Sequence, residues 1–231
     1  MICRKYQFLF VHVPKTAGQS IEQFFMDRLG LDWDTDRGEV LLGDNEDRSK
    51  GTQKLAHLSA SEYVDCGFVP QAEFDGLFRF SFVRDPYTRI VSEYLYRNYF
   101  HHHSFRDFVL NKLPKPGWDD QYRHVMPQYD MLHDGQGRLL VDFVGRFESL
   151  QTDFDQVCQT MGIEDSELPH RNPSNKKSRN LKRRLRNFLF RNGESDKKSY
   201  RDFYDEETLD AVTRYYQKDI DAFGYRFDTL T

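Results

Sequence analysis

The chain has 231 residues, 30% of them charged, and a formal net charge of -4. This length suits one sizeable domain, so we expect a single domain over residues 1–231. The sequence holds no run of about 18 apolar residues, which argues against a membrane-spanning helix. The three cysteines, Cys3, Cys66 and Cys158, are an odd number without paired spacing, which argues against a disulfide framework or a zinc site.

Short apolar runs alternate with helical periodicities along the chain. We predict strands at 6–13, 77–83 and 139–144, and helices at 20–29, 58–64, 87–99, 148–161 and 205–223. Ser59 and Glu62 form a capping-box pattern at the helix predicted at 58–64. Residues 32–54 are polar and acidic, and we expect them to form an exposed excursion. Strands that alternate with helices predict an α/β protein with helices on both faces of a mainly parallel sheet.

The loop after the first predicted strand has the composition of an anion site. Pro14 cannot extend a central strand, and Lys15, Thr16, Gly18 and Ser20 follow at the start of a helix. Free amides and the helix dipole favour an anion at such a position. The loop is not a Walker A sequence, because the lysine precedes the glycine here. The alternative interpretation is a plain strand–turn–helix joint with a solvated lysine.

A second polar segment follows the strand predicted at 77–83. Arg84 lies just beyond the strand end, where a guanidinium can bind a phosphate with two hydrogen bonds. Asp85 and Pro86 are typical of a helix start, and Ser92 lies two helical turns further along. The alternative interpretation is a structural ion-pair corner.

The two segments together resemble sulfotransferases that use 3′-phosphoadenosine 5′-phosphosulfate (PAPS). That resemblance implies a three-layer α/β/α fold around a mainly parallel sheet, similar to P-loop nucleoside triphosphatases. It implies that Arg84 and Ser92 bind the 3′-phosphate. It implies that the 5′-phosphosulfate is bound by Lys15, Thr16, Ala17, Gly18, Gln19 and Ser20.

The chain resembles the branch that contains heparan sulfate 2-O-sulfotransferase and its soluble relatives, and residues 141–150 and 204–227 add to the likeness. The resemblance implies that His57, which lies between the two nucleotide motifs, is the general base and acts with Lys15. A histidine near its ordinary pKa suits removal of a hydroxyl proton. The alternative is a plain surface histidine, since the chain has eight. His124 and Gln128 are candidate acceptor-binding residues.

A basic segment at 174–198 contains a run of lysines and arginines without an acid over 174–192. Apolar residues recur there at helical spacing, which predicts an amphipathic helix. The run is interpreted as a solvated helix, a polyanion-binding surface or a lid over the nucleotide. The resemblance implies nucleotide contacts for Lys176 and Lys177. Nucleic-acid binding is not expected, because the net charge is negative and no reader motif is visible.

These observations predict transfer of a sulfuryl group from PAPS to a hydroxyl, with a glycan or a small alcohol as acceptor and no metal. The alternatives are a P-loop small-molecule kinase and a polyanion-binding module without catalysis. The first strand follows the first residues directly, which leaves no room for a signal peptide. A cytoplasmic location is therefore expected, with a trimmed lumenal domain of a Golgi enzyme as the alternative.

Overall fold

The structure is a computed structural model that describes residues 1–169 and 199–227. Within these residues, four strands form one mixed sheet in the order β1-β2-β3-β4. The strands are β1 (Ile2–Cys3), β2 (Phe8–Val11), β3 (Phe78–Val83) and β4 (Phe143–Arg146). β1 pairs antiparallel with β2, whereas β2, β3 and β4 run parallel. The carboxyl ends of the three parallel strands therefore meet at one edge of the sheet.

Ten α-helices surround the sheet in the described part of the chain. They are α1 (Gly18–Leu29), α2 (Glu62–Asp65), α3 (Gln71–Gly76), α4 (Pro86–Tyr96), α5 (Phe105–Asn111), α6 (Asp120–Val125), α7 (Gln128–Leu132), α8 (Leu150–Thr160), α9 (Glu206–Tyr215) and α10 (Gln217–Phe223). Helix α4 begins immediately after β3 because the Asp85 carboxylate accepts the amides of Tyr87 and Thr88. Pro86 then occupies the first helical position, where no amide is needed.

The sheet is covered on both faces. Alternate residues of β2 and β3, Phe8, Phe10 and Phe80 among them, pack against α1 and α8 on one face. Leu9 and Val83 lie on the other face in a cluster with residues of α2, α3 and α7. The period of two along each strand produces this division. The predicted three-layer α/β arrangement with a mainly parallel sheet is confirmed.

A third apolar cluster joins α4 to α5 and α9. The bend between α9 and α10 falls at Tyr216, whose hydroxyl donates to the Val125 carbonyl at the end of α6. In α10, the buried Asp219 carboxylate accepts the backbone amides of Gln128 and Tyr129 at the start of α7. These contacts fix α4, α6 and α7 relative to one another, and residues of α4 and α6 line the cavity described below.

Several predicted elements differ from the observed ones. The strand predicted at 139–144 is observed at Phe143–Arg146, because the Asp142 carboxylate instead binds the backbone amide and guanidinium of Arg79. The helix predicted at 205–223 is two helices that meet at Tyr216. The helix predicted at 87–99 ends at Tyr96, since Asn98 adopts a left-handed conformation with φ of 59°.

Two local predictions were partly wrong. The predicted helix at 58–64 is only Glu62–Asp65, and Ser59 is not its N-cap, although its amide does donate to the Glu62 carboxylate. The segment at 32–54 is exposed along much of its length, but Val40 and Leu42 are buried against the α1 face of the sheet. Apolar residues in a polar segment therefore anchor it to the core.

The predicted helix in the basic run, with Lys176 and Lys177, lies outside the described residues. Cys3, Cys66 and Cys158 are all free thiols, as the sequence predicted. No helix in 1–169 or 199–227 is long and apolar enough to cross a membrane.

Phe154 in α8 provides a test of the core. Its fully buried ring packs edge-on against Phe24 at 4.9 Å between ring centres. We expect Phe154→Ala to lower the free energy of unfolding by about 3–5 kcal/mol, because it removes apolar contacts and leaves a cavity. Urea unfolding measures this loss. Gln156→Ala, on the exposed side of the same helix, should change stability by less than about 0.5 kcal/mol. Equal losses for the two variants would contradict this account of the core.

Candidate functional site

A cavity of about 280 Å³ opens where the chain leaves β2. The loop after β2 and the first turn of α1 form one wall. Residues from the 32–57 region, α4 and α6 form the others. The lining residues are His12, Pro14, Lys15, Ala17, Gly18, Gln19, Glu22, Trp33, Arg37, Leu42, Lys54, Ala56, His57, Tyr96, Asp120 and His124.

The loop between β2 and α1 has an unusual backbone. Lys15 and Ala17 both adopt left-handed conformations, with φ of 73° and 68°. Ala17 is the N-cap of α1, and it has no side-chain oxygen to accept the first helical amides. These amides have no acceptor within the helix. The loop therefore presents free N–H groups and the positive end of a 12-residue helix to the cavity.

Gly18 lets α1 begin close to the ring of His12. A Cβ atom at this position would collide with that ring. The ring is fixed because His12 Nδ1 lies 2.6 Å from Glu22 Oε1, and both side chains are buried. A side chain at Gly18 would therefore have to displace either the helix start or this buried pair.

Four of the six predicted phosphosulfate residues line the cavity: Lys15, Ala17, Gly18 and Gln19. Thr16 is fully buried, and its hydroxyl donates to the Val13 carbonyl at 2.7 Å. This bond holds the loop in shape. Ser20 is half-buried, and its amide donates to the Ala17 carbonyl.

The Lys15 ammonium lies over the ring of Tyr96, with 3.6 Å between Nζ and the ring centre. Burial lowers the pKa of Lys15 to about 8, and the charge of Glu93 opposes that effect. The positive charges of Arg84, Arg97 and Arg89 lower the pKa further. Among residues 1–169 and 199–227, no carboxylate forms a salt bridge with Lys15, so an anion in the cavity would not have to displace one from this part of the chain.

His57 is paired with a carboxylate on the opposite wall. Its Nδ1 lies 2.8 Å from Asp120 Oδ1. Burial tends to raise the pKa of Asp120, but hydrogen bonds from His57 and Arg97 hold it well below its usual range. An ionised carboxylate can only accept, so Nδ1 donates and Nε2 carries the lone pair. Burial lowers the pKa of His57 to about 4, although Asp120 opposes that effect.

His124 belongs to the same network. Its Nδ1 lies 2.7 Å from Glu93 Oε2, and burial lowers its pKa although Glu93 opposes this. Arg97 joins the two pairs by donating to Glu93 Oε1 at 2.8 Å and to Asp120 Oδ2 at 2.7 Å. The ring centres of His57 and His124 are 4.9 Å apart. Two neutral imidazoles are thus held edge-to-face, and each is hydrogen-bonded to a carboxylate that also accepts from Arg97.

His57, Asp120 and His124 are also the described residues that could hold a metal ion, since one ligand atom from each lies within 4.8 Å of the others. Both oxygens of Asp120 are already engaged by His57 and Arg97. The guanidinium of Arg97 repels a second cation at that carboxylate. The arrangement therefore fits a hydrogen-bonded histidine–carboxylate pair better than a metal site.

The second motif is joined directly to the first. The guanidinium of Arg84 donates to the Lys15 carbonyl at 3.2 Å and to the Thr88 hydroxyl at 3.0 Å, and it stacks over Phe147. The adjacent parallel strands β2 and β3 bring the two loops together. Ser92 follows on α4 and is half-buried. The two segments that the sequence interpretation paired are therefore in contact through Arg84 and Lys15.

Gln128 has a different place from the one expected for an acceptor-binding residue. It is fully buried and does not line the cavity. Its Oε1 accepts the Arg84 amide, and its Nε2 donates to the Arg84 carbonyl and to Asp219. This side chain fixes the backbone of Arg84. His124, the other expected acceptor residue, does line the cavity.

Sequence reasoning did not identify Glu93, Arg97 or Asp120, of which Asp120 lines the cavity. Glu93 in α4 lies four residues before Arg97, which directly follows that helix, and Asp120 and His124 have the same spacing in α6. That spacing was a usable signal of charged pairs on two helices. A single sequence does not indicate that Arg97 joins these two pairs.

Acid should destabilise the protein through His57 and His124. The pKa of His57 is about 4 in the native state against an ordinary value of 6.5. The unfolded chain therefore binds more protons between these values, so this contribution to stability is complete above pH 6.5 and is lost as pH falls toward 4. Thermal melts across this range should show a falling midpoint for the native sequence.

His57→Asn should flatten that fall in the melting midpoint, because Asn does not titrate. His102→Asn is the matched control, since His102 is exposed. Parallel curves for His57→Asn and the native sequence would contradict the assignment of a neutral buried His57.

Comparisons with known proteins agree with this geometry. A family model described as "Sulfotransferase family" matches residues 1–226. A protein of Archaeoglobus fulgidus that is named only "Uncharacterized protein" is 36% identical over 94 residues, which cover 39% of this chain and 72% of the relative. No solved structure gives a significant match. Because the family model covers nearly the whole chain, the protein belongs to the sulfotransferase family.

Proposed function

We propose that this protein transfers a sulfuryl group from PAPS to a hydroxyl, and that the acceptor is a carbohydrate or another alcohol. The observation that carries the proposal is the content of one cavity: Lys15, the uncapped start of α1 and the His57–Asp120 pair. When bound, PAPS supplies an activated sulfuryl group on a phosphate leaving group. Family membership supports sulfuryl transfer in general, and the donor is proposed from the residues that follow.

The donor set around the loop fits an anionic phosphosulfate. Lys15 supplies an ammonium that no carboxylate of the described residues binds, and the first turn of α1 supplies backbone amides at Gly18 and Gln19. Buried Thr16 shapes the loop through Val13 rather than facing the cavity. Ser20 would add a hydroxyl at the same helix start. A cationic, partly buried site of this kind stabilises negative charge more strongly than an exposed one.

Arg84 and Ser92 are proposed to bind the 3′-phosphate. Arg84 is held by its bonds to Thr88 and to the Lys15 carbonyl, so its guanidinium is oriented before a ligand arrives. Ser92 lies on the same helix as Thr88, one turn further along. A guanidinium can form two charge-assisted hydrogen bonds to one phosphate. Selection for the 3′-phosphate would distinguish this donor from ATP.

His57 is proposed to be the general base. Its Nε2 accepts the hydroxyl proton as the acceptor oxygen bonds to sulfur, and Asp120 stabilises the imidazolium that forms. Lys15 stabilises the negative charge on the phosphate oxygen as its bond to sulfur breaks. The low pKa of His57 describes the cavity without an anion. Negative charge brought in by the donor favours the protonated imidazole and raises that pKa.

The remaining walls of the cavity are proposed to bind the acceptor. Trp33 and Arg37 lie on the segment at 32–54, and His124 lies on α6. An aromatic ring beside polar and cationic groups suits the mixed surface of a sugar. We therefore favour a carbohydrate acceptor, with small alcohols as the alternative class.

Two rival functions are distinguished by ligand binding. A P-loop kinase would prefer ATP, and the lysine-before-glycine order of the loop argues against it. A binding module without catalysis would hold a polyanion but transfer nothing. Tighter binding of ATP than of 3′-phosphoadenosine 5′-phosphate would favour the kinase. Binding of 3′-phosphoadenosine 5′-phosphate without transfer to any acceptor would favour the binding module.

His57→Ala should reduce kcat by about 10²–10⁴-fold, because it removes the proposed base. Transfer from radiolabelled PAPS to a panel of glycans and small alcohols measures the loss. Affinity for 3′-phosphoadenosine 5′-phosphate should remain within a few-fold, which shows that the cavity is intact. His102→Ala is the control on the surface. Near-normal turnover in His57→Ala would exclude His57 as the base.

Arg84→Ala should weaken binding of 3′-phosphoadenosine 5′-phosphate by roughly tenfold to a hundredfold, since a bond to a charged group is lost. Isothermal titration calorimetry measures the change, with Arg214→Ala as the control because Arg214 is an exposed residue of α9. Adenosine 5′-phosphosulfate lacks the 3′-phosphate, so the same variant should bind it almost as well as the native protein does. An equal loss with both ligands would show that Arg84 acts through the loop instead.

A further inference from the structure

We propose that Tyr96 is the positioning residue for Lys15, and that the face of its ring holds the ammonium ready for the donor. Tyr96 is not part of either nucleotide motif. Its ring lies at the cavity wall, 42% of the residue is exposed, and Lys15 Nζ is 3.6 Å from the ring centre. The inference rests on the proposed function, in which Lys15 binds the phosphosulfate.

Both oxygens of the nearby Glu93 carboxylate are already hydrogen-bonded. Glu93 is the acidic residue whose charge acts on Lys15. One of its oxygens accepts from Arg97, and the other bonds to His124. Within the described part of the chain, the aromatic face of Tyr96 is thus the close contact of the Lys15 ammonium.

An aromatic ring and a carboxylate have different effects on a lysine that must bind an anion. The quadrupole of the ring attracts the cation without neutralising it. A salt bridge to a carboxylate would have to be broken before Lys15 could bind an anion. The contact with Tyr96 leaves the full positive charge available and still restricts the motion of the side chain.

Both the backbone and the side chain of Lys15 contact residues in or next to α4. Its carbonyl accepts from Arg84, which precedes the helix, and its ammonium contacts Tyr96, the last residue of the helix. Ser92 lies one turn before Tyr96, on the same face. One rigid helix therefore connects the residues assigned to the 3′-phosphate with the ring that positions the lysine.

The contact also affects protonation. Burial lowers the pKa of Lys15 to about 8, and the ring attracts only the protonated form. Loss of the ring should lower this pKa further. Binding of an anionic nucleotide should then weaken at a lower pH than it does in the native protein.

The test compares Tyr96→Leu, which removes the ring, with Tyr96→Phe, which keeps it. Calorimetry with 3′-phosphoadenosine 5′-phosphate at pH 7 to 9 should show about twofold to tenfold weaker binding for Tyr96→Leu, with the loss greatest at high pH. Tyr96→Phe should bind as the native protein does. Trp118→Leu removes another exposed aromatic side chain outside the cavity and should also have no effect.

A second measurement needs no ligand. Lysines labelled by ¹³C dimethylation can be titrated by NMR, and Lys15→Arg identifies the Lys15 signal by its loss. The pKa of Lys15 should fall in Tyr96→Leu and stay unchanged in Tyr96→Phe.

Three outcomes would overturn the proposal. The first is an unchanged pKa of Lys15 in Tyr96→Leu. The second is an equal loss of nucleotide affinity in Tyr96→Leu and Tyr96→Phe, because the effect would then belong to the hydroxyl. A raised acceptor KM with normal nucleotide binding would also overturn it, because the ring would then serve the acceptor. If the native protein binds no nucleotide while the NMR shift is observed, the proposed function fails and the Tyr96–Lys15 contact stands.

Discussion

One buried guanidinium holds the two sides of the cavity together. Arg89 in α4 is 1% exposed, and it donates at 3.0 Å to the carbonyls of Pro14, His124 and Met126. These carbonyls belong to the loop after β2 and to the end of α6. A buried charge is tolerated only when its hydrogen bonds are satisfied, so this geometry is strongly specified. The loop that presents Lys15 and the helix that presents His124 are thereby fixed to one residue of α4.

The same arrangement gathers positive charge. Arg84, Arg89 and Arg97 all act on Lys15, and each lowers its pKa. The nearby carboxylates Glu93 and Asp120 are engaged with histidines and with Arg97. The protein thus maintains mutual repulsion among cations around an open cavity. Such a site is stabilised by an anion, and the fixed orientation of its donors means that little reorganisation is needed when one binds.

The parts of this site that sequence predicted are those encoded by short contiguous segments. The loop with Lys15 and Gly18, and Arg84 at the end of β3, follow from strand, turn and helix signals within a few residues.

His57 required the resemblance to a known family. Asp120 could not be predicted, because its importance comes from a contact 63 residues away with His57. Gln128 was a candidate acceptor-binding residue in the sequence, whereas tertiary packing buries it against the Arg84 backbone. The split of the C-terminal helix at Tyr216 has the same origin, since the bond to Val125 lies outside any local pattern.

The pKa values of His57 and Lys15 are both lowered in the cavity. Burial lowers the pKa of His57, and burial together with neighbouring cations lowers the pKa of Lys15, so each group holds its proton less tightly than an exposed residue does. In the proposed reaction His57 must gain a proton and Lys15 must remain charged. A nearby anion favours the protonated form of both groups. Donor binding would therefore raise both pKa values together, and the base would become effective only when the donor is in place. Positioning of Lys15 by Tyr96 is consistent with this order of events. The ring favours the protonated lysine before the anion binds, and no ion pair with the ring has to be broken when it does.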